Sequence, residues 1–220
     1  MDSPTTPRPR IRIAVLVSGH GRGTNLQAIL DACSSREIPG EVALVLGVRS
    51  DAPAMERARC AAVPTVVVSP RKYPDDADYG AVLLRTLGAH RVDLICLAGY
   101  MRLLPPAVVT TFAGRIMNTH PALLPLFGGP GMYGERVHEA VIASGMKVSG
   151  CTVHFVDDQY DHGPIILQTP VLIEESDTAA DLAARVLPQE HGTYVRAIRL
   201  FAEGRLRIEG NRVRVLEDDQ

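Results

Sequence analysis

Over the first 118 residues, short apolar runs alternate with helix-patterned segments, and this alternation narrows the fold more than any other property of the chain. The apolar runs are residues 11–18 (IRIAVLVS), 42–49, 64–69, 92–98 (VDLICLA) and 115–118. Between them lie segments 25–35, 54–62, 75–90 and 105–112, each patterned as a helix. Strands that are apolar almost without a break are buried on both faces, as in a parallel sheet. A helix between successive strands supplies the crossover that parallel pairing needs. Pro105 and Pro106 fall where a helix starts, the position at which a missing N–H does least harm. The expected fold class is α/β: a Rossmann-like open, mostly parallel sheet with helices on both faces.

The pattern changes after Pro125. Residues 126–134 hold four glycines and a proline, the composition of a loop or lid. Segment 137–144 is helical, and 148–156 and 165–173 are strands joined by the polar turn 157–163. A helical region over 178–203 is expected to be interrupted by Pro188. Residues 205–216 pattern as a hairpin turning at Gly210-Asn211. These mixed C-terminal strands should complete the same sheet. The expected division is a disordered tail at 1–10, one domain over 11–204, and a hairpin and tail at 205–220. Within the domain, 11–118 forms a nucleotide-binding half and 119–204 a C-terminal half.

Composition excludes several classes. With 46% hydrophobic residues and no tryptophan, the chain can build a core mainly of Val, Leu, Ile and Ala. A net charge of -2 speaks against a nucleic-acid surface. No apolar run approaches the roughly 20 residues of a membrane span, and the polar, proline-bearing N-terminus lacks the apolar segment of a signal peptide. Cys33, Cys60, Cys96 and Cys151 are far apart and lack CxxC spacing. They suggest reduced thiols in a cytoplasmic protein, with no disulfide framework and no metal site.

Three places carry chemistry. In Met117-Asn118-Thr119-His120-Pro121 an amide and an imidazole sit two residues apart at a strand end, so both face one space if the strand stays extended. An amide donor beside a titratable ring suits acyl transfer, in which an oxygen gains negative charge and an amine loses a proton. Gly19-His20-Gly21-Arg22-Gly23-Thr24-Asn25 joins the first strand to the first helix, where backbone N–H groups can approach a phosphate. Thr24 or Asn25 is expected to cap that helix. No Gly-Lys-Ser/Thr follows, so it is not a nucleotide-triphosphate loop, and Arg49-Ser50-Asp51 does not offer the acidic strand end that suits a dinucleotide. Asp161 lies in the turn 157–163, and a carboxylate near His120 should raise the imidazole pKa and favour its cation.

These motifs resemble those of the formyltransferases that use 10-formyltetrahydrofolate. Asn118-Thr119-His120-Pro121-Ala122-Leu123-Leu124-Pro125 is similar to the family's Asn-x-His-Pro-Ser-Leu-Leu-Pro signature. Leu97-Ala98-Gly99-Tyr100-Met101-Arg102-Leu103-Leu104 resembles its folate-lining segment, and Thr152-Val153-His154-Phe155-Val156 with Asp161 and Gly163-Pro164 resembles its catalytic-aspartate loop. The resemblance runs from about residue 11 to about residue 204, and fits best the short members that formylate glycinamide ribonucleotide in purine synthesis.

The resemblance implies direct attack of the ribonucleotide amine on the formyl carbon, through a tetrahedral intermediate. It implies Asn118, His120 and Asp161 as catalytic residues, and Arg102, Leu104, Asn118 and Asp161 as contacts of the 10-formyltetrahydrofolate co-substrate. Gly23, Thr24 and Asn25 would hold the ribonucleotide phosphate and Glu190, within Gln189-Glu190-His191, the ribose. No metal, membrane or nucleic-acid partner is implied, and the chain would act as a monomer or homodimer. Three departures from the pattern stand out: two added residues near Ser18-Gly19-His20, the stretch 126–134, and His162, which is expected to face solvent. The alternatives are a formyltetrahydrofolate hydrolase or another transferase of the family, whose extra domains this length does not accommodate. More distant is a non-catalytic nucleotide-binding module.

Overall fold

The computed structural model describes residues 10–19 and 21–217. Strand β1 (Ile11–Val17) opens the chain. Ile13, Val15 and Val17 face one hydrophobic cluster, while Ala14 and Leu16 face another. This period of two makes β1 a central strand with both faces buried. Then follow α1 (Thr24–Ser34), β2 (Gly40–Gly47), α2 (Pro53–Cys60), β3 (Thr65–Val67), a short 3-10 turn at Pro70–Lys72, α3 (Asp76–Ala89), β4 (Leu94–Ala98), α4 (Pro106–Thr111) and β5 (Ile116–His120). The later elements are α5 (Glu135–Ala143), β6 (Val148–Phe155), β7 (Ile165–Leu172), α6 (Ala179–Ala202), β8 (Leu206–Glu209) and β9 (Arg212–Val215).

Among the described residues nine strands form one sheet of order β3-β2-β1-β4-β5-β6-β7-β9-β8. The first five pair in parallel; β6 joins β5 antiparallel, and β7 joins β6 antiparallel. The hairpin of β8 and β9 pairs Glu209 with Arg212 around Gly210-Asn211, as expected. One core lies between the sheet and α1, α2 and α6, the other between the sheet and α3 and α4. A smaller cluster of Val141, Cys151, Val171, Leu182 and Val186 joins α5 and α6 to β6 and β7. Cys33, Cys96 and Cys151 are buried free thiols, and Cys60 is exposed. Among the described residues no helix is long and apolar enough to cross a membrane.

Two expectations need correction. Pro188 does not interrupt the C-terminal helix: α6 runs unbroken through it for 24 residues. Leu182 and Val186 before the proline and Tyr194, Val195 and Ile198 after it are buried. Packing on both sides outweighs the roughly 3 kcal/mol that an internal proline costs. Neither Thr24 nor Asn25 caps α1: the N-cap is Gly23, in the left-handed region at φ 69°, which makes no side-chain cap bond. The expected tail at 1–10 lies outside the described residues except Arg10, which donates to the Gly40 carbonyl at 2.8 Å. His20 and residues 218–220 also lie outside them.

Candidate active site

The strand order reverses between β1 and β4, and a cavity of about 630 Å³ opens at the carboxyl ends of the strands there. Open α/β sheets place their ligands at such a crevice. Four apolar residues of one segment, Leu97, Met101, Leu103 and Leu104, form one wall; Asn118, His120 and Asp161 form the polar floor; Asn25 and Glu190 lie at another part of the wall. The volume and the mixed lining are those of a small-molecule site.

Strand β5 carries the floor. It stays extended to His120 and ends where Pro121 follows, so Asn118 and His120 share one face. The segment after it is fastened by Thr152, a fully buried residue of β6. The Thr152 hydroxyl donates to the Ala122 carbonyl at 2.7 Å and accepts from the Leu124 amide at 3.0 Å. Below the floor, the hydroxyl of Tyr194 lies 3.0 Å from the Leu97 carbonyl and 2.9 Å from the Met117 carbonyl, joining α6 to both β4 and β5.

Asp161 reaches the floor from a left-handed backbone position, φ 52°. The turn holding it is tight: a Cβ on Gly163 would lie 2.0 Å from the Phe155 carbonyl oxygen. Asp161 Oδ2 accepts from the Gly129 amide at 2.9 Å and lies 3.6 Å from His120 Nδ1. Its Oδ1 accepts from Asn118 Nδ2 at 3.4 Å and lies 3.7 Å from His154 Nε2. The three residues singled out for catalysis therefore meet.

The partners set the tautomers. His120 Nε2 lies 2.7 Å from the Phe127 carbonyl, which can only accept, so Nε2 carries a proton and Nδ1 faces Asp161. His154 likewise turns Nδ1 to the Phe155 carbonyl at 2.8 Å and Nε2 to the Asn118 amide at 3.2 Å. Residues 126–134 thus supply an acceptor to the histidine and a donor to the aspartate.

The expected rise of the His120 pKa does not occur. Burial pushes it below the ordinary histidine value and prevails over the upward pulls of Asp161 and the Phe127 carbonyl, with His154 adding to the fall. The side chain is only 4% exposed, and 3.6 Å is too long for a direct hydrogen bond to the carboxylate. For Asp161, burial raises the pKa, but nearby His154, His120 and the Gly129 amide together bring it below the usual carboxylate range. At neutral pH the pair is a neutral imidazole beside a carboxylate.

The remaining expected residues divide. Asn25 and Glu190 meet directly, Asn25 Nδ2 donating to Glu190 Oε1 at 3.0 Å, and both line the cavity. Burial raises the Glu190 pKa, against the opposing hydrogen bond from Asn25. Gly23 packs against α2, where a Cβ would lie 2.8 Å from Ala54. Neither Gly23 nor Thr24 lines the cavity; they lie beside Arg22 and Asn25, which do. Leu104 is buried in the α3 core and reaches the cavity wall. Arg102 sits at the rim, paired with Asp76 at 2.6 Å. His162 is exposed as expected, with Nδ1 2.6 Å from Asp157 Oδ2.

Two site histidines lacked an assigned role in the sequence. His154 stands in register opposite Asn118 across β5 and β6, a neighbour that only the pairing reveals. His138 of α5 is 6% exposed and lines the cavity, and its Nδ1 has no partner among the described residues. Among those residues no group of three His, Cys, Asp or Glu side chains is placed to hold a metal.

A family model described as formyl transferase matches residues 11–198. The chain is 40% identical over 201 residues to the phosphoribosylglycinamide formyltransferase of Escherichia coli, covering 91% of this chain and 92% of that protein. It is 39% identical over 212 residues to the chloroplastic enzyme of that name from Arabidopsis thaliana, covering 96% of this chain and 72% of the relative. The crystal structure of glycinamide ribonucleotide transformylase 1 from Symbiobacterium toebii superposes with a TM-score of 0.90 at 50% identity, covering 98% of this chain and 99% of the other. With its fold, its floor of amide, imidazole and carboxylate, and these likenesses agreeing, the chain belongs to the formyl transferase family.

Proposed function

We propose that this protein transfers a formyl group from 10-formyltetrahydrofolate to the amine of glycinamide ribonucleotide, giving formylglycinamide ribonucleotide in cytoplasmic purine synthesis. The observation that carries the reading is the convergence of Asn118, His120 and Asp161 in a cavity that also reaches the Asn25 and Glu190 pair. The apolar wall of Leu97, Met101, Leu103 and Leu104 fits a flat, weakly polar co-substrate, which supplies the formyl group. Arg102, at the rim, suits its anionic end.

The residues take the following roles. Asn118 turns an amide hydrogen to the formyl oxygen as negative charge builds there. Neutral His120, its Nε2–H fixed on the Phe127 carbonyl, accepts the amine proton at Nδ1. Asp161 then faces the imidazolium at 3.6 Å and stabilises it until the proton passes to the folate nitrogen, whose bond to the formyl carbon breaks as the tetrahedral intermediate collapses. Glu190 and the loop at Gly23, Thr24 and Asn25 hold the ribose and phosphate of the acceptor.

The test is spectroscopic turnover of 10-formyltetrahydrofolate with and without glycinamide ribonucleotide, beside His120→Ala. Deformylation that needs the ribonucleotide and collapses in the variant is expected. Deformylation independent of the ribonucleotide would replace this reading with a hydrolase.

A further inference from the structure

The glycine loop is held from below by one side chain of α2. Arg57 Nε donates to the Arg22 carbonyl at 2.8 Å, and its Nη1 donates to Gln27 Oε1 at 3.0 Å. One guanidinium thus spans the loop and the first turns of α1. Gly23, between these two anchor points, rests on Ala54, one turn earlier on the same face of α2. Its left-handed φ of 69° and the 2.8 Å approach both demand a residue without Cβ.

The direction of this grip matters. In a trans peptide the C=O and N–H point to opposite sides. Drawing the Arg22 carbonyl toward Arg57 therefore turns the Gly23 N–H away from α2. The first N–H groups of α1 have no intrahelical acceptor, and the N-cap, Gly23, offers no side chain to cap them. Arg22 and Asn25, on either side of Gly23, line the cavity, and Asn25 Oδ1 is buried without a partner among the described residues.

Charge makes a second argument. Arg59, two residues on, pairs with Glu56 at 2.8 Å, the ordinary arrangement of a helix surface. Arg49 pairs with Asp51 and Arg102 with Asp76. Among the described residues Arg57 has no carboxylate within ion-pair distance; its recorded acceptors are one carbonyl and one amide oxygen. Among the described residues its cation stands without a carboxylate partner beside the N-terminus of α1, where an anion gains from both.

We infer that Arg57 is a positioning residue for the phosphate end of the acceptor. It fixes the glycine loop with its amides turned from α2 and adds an unpaired positive charge behind them. This rests on the proposed reaction, in which the ribonucleotide phosphate meets that loop.

The experiment compares Arg57→Met and Arg57→Lys with the wild type in steady-state kinetics, with inorganic phosphate as a competing ligand. Arg57→Met is expected to raise KM for glycinamide ribonucleotide about 10- to 100-fold, the range for losing a charge-assisted hydrogen bond. KM for 10-formyltetrahydrofolate and kcat should stay within about twofold. The inhibition constant of inorganic phosphate should rise with the ribonucleotide KM. Arg57→Lys restores the charge but cannot reach both acceptors in the planar fork, so it should recover part of the loss. Equal rises in both KM values, or no rise in either, overturn the inference. A wild type without ribonucleotide-dependent turnover refutes the proposed function instead. In that case the weakening of phosphate binding by Arg57→Met, followed by calorimetry, still decides for or against the clamp.

Discussion

Asp161→Asn tests the proton-transfer role most directly. The substitution keeps shape and leaves an oxygen that can accept from the Gly129 amide, so the loop tether survives while the charge goes. A full imidazolium 3.6 Å from a carboxylate is stabilised by about 4–5 kcal/mol at an effective dielectric constant of about 20. At 1.36 kcal/mol per decade this is an upper bound of about 10³ in rate, and a half-formed charge gives somewhat under 10². The expected fall in kcat is therefore from somewhat under 10² up to about 10³, with KM for glycinamide ribonucleotide nearly unchanged. The pH profile supplies the second readout. The His120 pKa already lies below the ordinary value because burial prevails over Asp161. Removing the carboxylate removes the main upward pull, so the acid limb of kcat/KM, where His120 is protonated and cannot accept, should move to still lower pH. Steady-state rates from pH 5 to 8 measure both. A loss in kcat under about threefold, with the acid limb unmoved, refutes the reasoning.

Two further outcomes follow from buried polar groups. Tyr194→Phe removes one hydroxyl and leaves the Leu97 and Met117 carbonyls sharing no donor from α6. It should cost about 2 kcal/mol, or about 4–8 °C in Tm by calorimetry, and an unchanged Tm would show that the bridge carries no weight. Glu190→Gln concerns a carboxyl whose folded pKa is raised, chiefly by burial. Such a group contributes stability that is complete below its unfolded pKa, about 4.3, and is lost as pH rises through the folded value. The Tm of the wild type relative to Glu190→Gln should therefore fall with pH above that point and then level off. A difference independent of pH would mean that Glu190 keeps its unfolded pKa.

Much of this was legible along the chain because it is local. The apolar runs of β1, β2 and β4 announced a parallel sheet, and Asn118 and His120 announced their shared face through the period of a strand. What the chain did not announce depends on its partners across space. His154 faces Asn118 only because β6 runs antiparallel to β5 in one register. The persistence of α6 through Pro188 comes from packing on either side of that residue. Gly23 takes the N-cap in place of Thr24 or Asn25 because α2 lies against it and Asn25 is engaged by Glu190. The fall in the His120 pKa reflects depth of burial, while the sequence offered only the neighbouring charge.

The seating of β5 between β4 and β6 carries a consequence for how this chain can change. Asn118 stands opposite Leu97 on one side and His154 on the other, and His120 stands opposite Thr152. Main-chain ladders thus determine where the amide and imidazole emerge. Exchanging one apolar core residue for another of like volume leaves those ladders intact. A single inserted or deleted residue within β5 turns the side chains beyond it to the opposite face and can part Asn118 from His120 without altering either. The floor therefore persists only while β5 keeps its residue count between its two neighbours.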